Sequence, residues 1–112
     1  MSPPAARRAR RAGGADPLLS GGAGRAAHLA ELLKAVAHPL RLRIVAILAQ
    51  ADANVSQLAE RLDAPQPIVS QQLRILRGHG LVAAERRHGF ATYRLVERNL
   101  EGLVACMERC GR

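Results

Sequence analysis

The stretch from Asn54 to Gly80 leaves this chain the least conformational freedom. Asn54 stands three residues before Gln57, the pattern of a reciprocal helix cap, and Leu58, Ala59 and Leu62 follow at helical spacing. Asp63-Ala64-Pro65 interrupts that run. A second one goes from about Gln66 to Arg77, and Gly78-His79-Gly80 stops it. Two short helices joined by three or four turn residues, the second polar on one face, predict a helix-turn-helix.

The flanks extend this unit. From Arg25, the residues Leu29, Leu32, Leu33 and Val36 recur at helical spacing. That first helix ends near His38-Pro39, because a residue before proline avoids the α region. Pro39 fits the first turn of a second helix, where its missing N–H is harmless, and His38 fits a helix-boundary role. Leu40, Ile44, Val45, Ile47 and Leu48 give the second helix its apolar side before Ala51-Asp52-Ala53. Downstream, Leu81–Arg87 and Phe90–Leu95 flank His88-Gly89 and read as a β-hairpin with a two-residue turn. A hairpin directly after a helix-turn-helix is a wing, and Arg86, Arg87, His88 and Arg94 are expected at or near its tip. Asn99 is expected to cap a last helix that carries Leu100, Leu103, Val104 and Met107 on one stripe. The predicted fold is mainly α with a small β-hairpin: a winged helix-turn-helix over residues 25–112, about five helices plus the wing, dimerising through its first and last helices.

Composition agrees with a single domain of 112 residues. Hydrophobic residues reach 48%, but Phe90 and Tyr93 are the only aromatics, so the core has to be aliphatic. Residues 1–24, rich in Ala, Gly, Pro and Arg without a hydrophobic period, read as a disordered basic tail. The net charge is +8, sixteen of the seventeen basic residues being Arg, and the pI is about 11.4. Residues 25–112 still hold 13 basic and 8 acidic residues. Such a balance is the footprint of a nucleic-acid binder, although basic ribosomal and membrane-surface proteins share it. No apolar run approaches the roughly 20 residues of a spanning helix. Glycine, not an apolar segment, follows the Arg-rich start, so a soluble, cytoplasmic protein without a membrane partner is expected. Two cysteines are too few for a disulfide scaffold.

Ala37-His38-Pro39-Leu40-Arg41-Leu42-Arg43-Ile44, Leu58-Ala59-Glu60-Arg61-Leu62, Gln66 through Arg77 and Gly80-Leu81-Val82 stand in that order. Together they resemble the ArsR/SmtB family of winged-helix repressors, over roughly Leu29 to Met107. The resemblance implies a homodimer that binds an inverted-repeat operator in double-stranded DNA and represses until an inducer binds. It departs from the family at Pro65, where relatives often have a capping Ser; a looser start to the recognition helix is therefore expected.

On a wheel of about 100° per residue, Val69, Leu73 and Leu76 share the core-facing stripe. Gln66, Pro67, Ser70, Arg74 and Arg77 are read as roughly opposite, with Gln71 at the margin. Gln66 and Gln71 suit adenine edges, Ser70 a base or a phosphate, and Arg74 and Arg77 phosphates. On the wing, Arg86, Arg87, His88 and Arg94 are read as contacts to backbone or minor groove. A merely solvated polar face is the plain reading of the same residues; the hairpin, the charge and the resemblance weigh against it.

The resemblance also brings two metal sites to look for. The thiolate site has Cys-Val-Cys where this chain has Asn54-Val55-Ser56, and the last-helix zinc site needs Asp and His, which this helix lacks. His28, His38, His79 and His88 are scattered over different elements and read as structural or solvent-facing. Cys106 and Cys110 remain, four residues apart and on one helical face. Three readings stay open for them: small apolar fillers, sensors of redox state or reactive sulfur, or ligands of a thiophilic metalloid such as arsenite. Relatives that sense reactive sulfur usually place one Cys on the second helix, which has none here. No cofactor is expected. With no nucleophile–base set, phosphate loop or metal cluster, the chain does not read as an enzyme. The alternative from another class is a basic winged-helix module that binds RNA or protein without sensing an inducer.

Overall fold

The computed structural model describes residues 20–111. Among them the order is α1 (Gly22–Val36), α2 (Pro39–Gln50), β1 (Ala53–Asn54), α3 (Val55–Leu62), α4 (Gln66–Gly78), β2 (Val82–Arg87), β3 (Phe90–Leu95) and α5 (Leu100–Met107). This is the winged helix-turn-helix that the sequence predicts. A boundary between two compact units falls inside α1, between Glu31 and Leu32. Helix α1 starts at Gly22, three residues before the expected Arg25; of the expected tail, residues 1–19 lie outside the described residues.

The start of α2 shows what His38 does. Its backbone is extended, and its Nδ1 accepts from the N–H groups of Leu40 at 3.1 Å and Arg41 at 3.4 Å. Pro39 occupies the first turn and has no N–H to satisfy. An imidazole thus performs the task usually given to a hydroxyl or carboxylate.

At α3 the capping box closes as expected: Gln57 N–H donates to Asn54 Oδ1 at 2.8 Å, and Asn54 N–H donates to Gln57 Oε1 at 2.9 Å. Asp63, left-handed at φ 52°, ends that helix. The looser start expected for α4 is not found. Pro65 makes no side-chain cap bond, but its carbonyl accepts from Ile68 and Val69, both at 3.1 Å. Pro67 has no N–H. The donors that a Ser cap would have served are thus either bonded or absent.

The wing is larger than a hairpin. β2 and β3 pair antiparallel from Val82↔Leu95 to Arg87↔Phe90, and β1 adds a third strand through Ala53↔Tyr93 and Asn54↔Thr92. The sheet order is β1-β3-β2. His88 and Gly89 have φ of 54° and 83°, the positive pair that a tight hairpin turn of type I′ requires.

At α5 an expectation fails. Asn99 is itself helical (φ −64°, ψ −18°) and makes no cap bond. Its Nδ2 donates to Glu97 Oε2 at 3.1 Å instead. A residue already wound into the helix cannot turn its side chain back onto the first-turn N–H groups.

The core is aliphatic, as the scarcity of aromatics demands. Ile44, Leu48, Leu58, Val69, Leu73, Leu76, Leu81 and Leu95 are fully buried and join α2, α3, α4 and the wing. Each contributes roughly 1.5–3 kcal/mol of transfer free energy. No polar or charged residue is buried among the described residues. The fold is thus held by apolar packing and capped ends.

Candidate nucleic-acid interface

Helix α4 carries the candidate reading face. Val69, Leu73 and Leu76 have no exposure, which fixes its rotation about its own axis. Gln66, Pro67, Gln71, Arg74 and Arg77 are exposed, whereas Ser70 is half-buried. The expected wheel therefore needs a correction. The centre of the open face lies at Pro67, Gln71 and Arg74, and Ser70 is the marginal residue, not Gln71. Three apolar residues define a stripe centre, and at about 100° per residue the position opposite it is Gln71.

Two hydrogen bonds tie this helix to its neighbours, and of the four residues that make them sequence reading singled out only Gln66, missing Ser56, Arg41 and Gln72. Gln66 Nε2 donates to Ser56 Oγ at 3.2 Å, tying the first turn of α4 to the first turn of α3. Arg41 Nη1 donates to Gln72 Oε1 at 2.8 Å while its Nε donates to the Ala35 carbonyl at 2.6 Å. Arg41 and Gln72 are 31 positions apart, so no local pattern could have paired them. At the other end, Gly80 N–H donates to the Arg77 carbonyl and Leu81 N–H to the Leu76 carbonyl, which leads α4 straight into β2.

On the wing, the register distributes the expected contacts over two faces. Cross-strand partners share a face and neighbours alternate. Arg86 therefore lies on the face of Val82 and Leu95, which are buried, and Arg87 on the opposite face with Phe90 and Arg94. His88 stands at the turn. Arg94 pairs with Ala83, near the base of the hairpin, so the expected cluster at the tip is reduced to Arg86, Arg87 and His88. Arg86 Nη1 reaches the Gly89 carbonyl at 3.5 Å, and Arg87 Nη2 pairs with Glu85 Oε1 at 2.6 Å. Both partners of that pair are more than half exposed, a setting in which an ion pair is worth little and exchanges readily. Phe90, at the tip beside Arg87, is 66% exposed.

Cys106 and Cys110 carry free, exposed thiols. Cys106 lies in α5, but Cys110 falls in the turn after it, with its Sγ 3.5 Å from the Cys106 carbonyl. A cleft of about 550 Å³ runs between α2, α3 and α5, lined by Ile47, Gln50, Arg61, Glu101, Val104 and Glu108 among others; neither cysteine lines it. Among the described residues, no group of three or more His, Cys, Asp or Glu could hold a metal ion. No helix among them is long and apolar enough to cross a membrane.

Comparison with known proteins finds winged-helix regulators and repressors. A model of a bacterial regulatory protein family, the arsR family, matches residues 38–84, from the His38 cap into β2. The biofilm growth-associated repressor of Agrobacterium fabrum is 41% identical over 83 residues, which span 74% of this chain and 71% of that protein. The crystal structure of the transcriptional repressor BigR from Xylella fastidiosa superposes with a TM-score of 0.73 at 35% identity, over 80% of this chain and 93% of that one. The homodimeric winged helix-turn-helix DNA-binding domain of Mb0332 from Mycobacterium bovis, solved by NMR, superposes with a TM-score of 0.68 at 29% identity, over 77% and 80%.

Proposed function

The chain belongs to the ArsR family of bacterial regulatory proteins, and we propose that it is a homodimeric repressor that occupies an inverted-repeat operator until an inducer releases it. It is a regulator, not an enzyme. The observation that carries the reading is α4 itself: one side closed into the core, the other open with Pro67, Gln71 and Arg74, the first turn anchored to Ser56 and the middle, at Gln72, to Arg41. An exposed face on a rigid, doubly anchored helix is what the major groove requires, because base-edge hydrogen bonds discriminate only when the donors are held in register. Gln66, Gln71 and Ser70 supply amide and hydroxyl groups for bases; Arg74, Arg77, Arg86, Arg87, His88 and Arg94 supply contacts to phosphates or the minor groove.

The test is a salt-dependent gel shift with duplexes selected from a random pool, and with RNA of matched length. Tight, salt-sensitive binding to an inverted repeat is expected, and replacing Arg86 and Arg87 together should flatten the salt slope by about two phosphate contacts. Equal affinity for RNA would favour the basic module without inducer sensing.

For the inducer, we place the responsive element at Cys106 and Cys110. They are the only thiols of the chain, both are exposed, and they sit on and just after the helix to which the family resemblance gives the dimer contact. With peroxide, two thiols would join as a disulfide, giving up two protons and two electrons while the peroxide becomes two waters. Cys106→Ser and Cys110→Ser, singly and together, should leave operator affinity intact and abolish release by oxidant, polysulfide or arsenite. A double variant that still releases DNA with the same agent would make the cysteines packing residues.

A further inference from the structure

We infer that Arg41 is a positioning residue: it fixes the orientation of α4 against the last turn of α1 and so sets the half-site spacing that the dimer accepts. The inference rests on the dimeric reading proposed above. The Ala35 carbonyl belongs to the last turn of α1, where carbonyls have no partner within the helix, and it accepts from Arg41 Nε at 2.6 Å. The same guanidinium reaches Gln72 Oε1 on α4 through Nη1 at 2.8 Å. Its donors form a rigid planar fork, so the two acceptors are held in a fixed mutual arrangement across three helices. Apolar packing between these helices is strong but non-directional; the fork adds direction. Gln72 is half-buried on the flank of α4, away from the exposed centre at Pro67, Gln71 and Arg74, so Arg41 would act on DNA through the placement of α4 and not by touching it.

In a two-fold dimer joined through α1 and α5, any tilt of α4 against α1 is doubled in the separation of the two recognition helices. Half-sites must then lie about one helical turn apart to be engaged together, and a change of one base pair moves a site by about 3.4 Å. A lysine in place of Arg41 keeps the charge but offers a single point of attachment, so it cannot hold both acceptors in one geometry.

The experiment uses the full chain, as wild type and as Arg41→Lys, Arg41→Met and Gln72→Leu. The probes are duplexes carrying the selected inverted repeat at its best spacing and with one or two base pairs added or removed, together with a single half-site. Circular dichroism and thermal melting verify folding. Wild type should lose at least tenfold in affinity for each step away from the best spacing. All three variants should flatten that profile to under threefold, keep single half-site affinity within threefold, and keep the wild-type salt slope. Gln72→Leu leaves the Arg41–Ala35 bond in place, so it carries the test even if Arg41→Met does not fold. Variants that bind every spacing more weakly while keeping the wild-type profile would overturn the inference, since a purely structural loss lowers the whole curve. A wild type indifferent to spacing would overturn the dimeric reading and this inference with it; a spacing-sensitive wild type with unchanged variants would overturn the inference alone.

Discussion

Helices α4 and α5 make opposite use of their apolar residues. Over 13 residues, α4 buries Val69, Leu73 and Leu76 completely and opens a polar face. In the eight residues of α5, Leu100, Leu103, Val104, Ala105, Cys106 and Met107 are apolar, yet only Leu100 is buried and Met107 is 42% exposed. Leu33, in the last turns of α1, is 53% exposed as well. The helix richer in apolar residues is the one less covered. Burial within one chain thus closes the Val69, Leu73 and Leu76 stripe of the reading helix, leaving Ile68 43% exposed on its flank, and stays incomplete along α5 and at Leu33, apolar surface that the second copy proposed above would cover.

The contrast can be broken most forcefully at Leu73. Leu73→Ala should lose about 3 kcal/mol of stability, as expected for a truncated leucine in a closed core, read from urea unfolding followed by circular dichroism. A loss under about 1 kcal/mol would mean that α4 is not part of a closed core. Met107→Glu sharpens the other side of the comparison. It should leave helix content unchanged but weaken the dimer at least tenfold, about 1.4 kcal/mol, so that sedimentation reveals a 12.0 kDa species on dilution. Unchanged sedimentation would mean that Met107 is simply a surface residue.

Helix starts provide a third, smaller contrast. His38→Ala removes a real cap and should cost about 1 kcal/mol, whereas Asn99→Ala removes none and should stay within about 0.5 kcal/mol of wild type. Equal losses in thermal melts would contradict the geometry of both caps. Smallest of all, Glu101→Gln breaks the pairing of Arg98 with Glu101 at the start of α5. Because both side chains are well exposed, the change should be only a few tenths of a kcal/mol, and it should vanish in high salt.

These differences also mark how far the sequence could be read. The capping box at Asn54, the stop at Gly80 and the His88-Gly89 turn are local: the residues that specify them are a few positions apart, and each was legible. The aliphatic core followed from the lack of aromatics. β1 was not legible, because a strand of two residues has no period of its own and exists only through its pairing with β3. Asn99 misled because residue type alone does not say whether a position is extended or already helical. Arg94 was expected at or near the tip with the other basic residues of the hairpin; only the register shows it near the base. At the site, every polar residue of α4 except Gln72 was named, but the centre of the open face was set toward Ser70 instead of Gln71. The Arg41–Gln72 link, set by tertiary packing, gave no signal at all.

The paired prolines around Gln66 have a consequence for how binding begins. A helix start capped by a hydroxyl keeps a weak internal bond that an incoming phosphate oxygen must compete with, and the first turn loosens when the competition succeeds. Here ring closure at Pro65 and Pro67 fixes two backbone torsions covalently, and the Pro65 carbonyl bonds Ile68 and Val69 from within the backbone. An arriving anion has no cap to displace. The order at the tip of α4 is present before any ligand arrives, so contact with DNA need not be offset by the entropy of forming that turn.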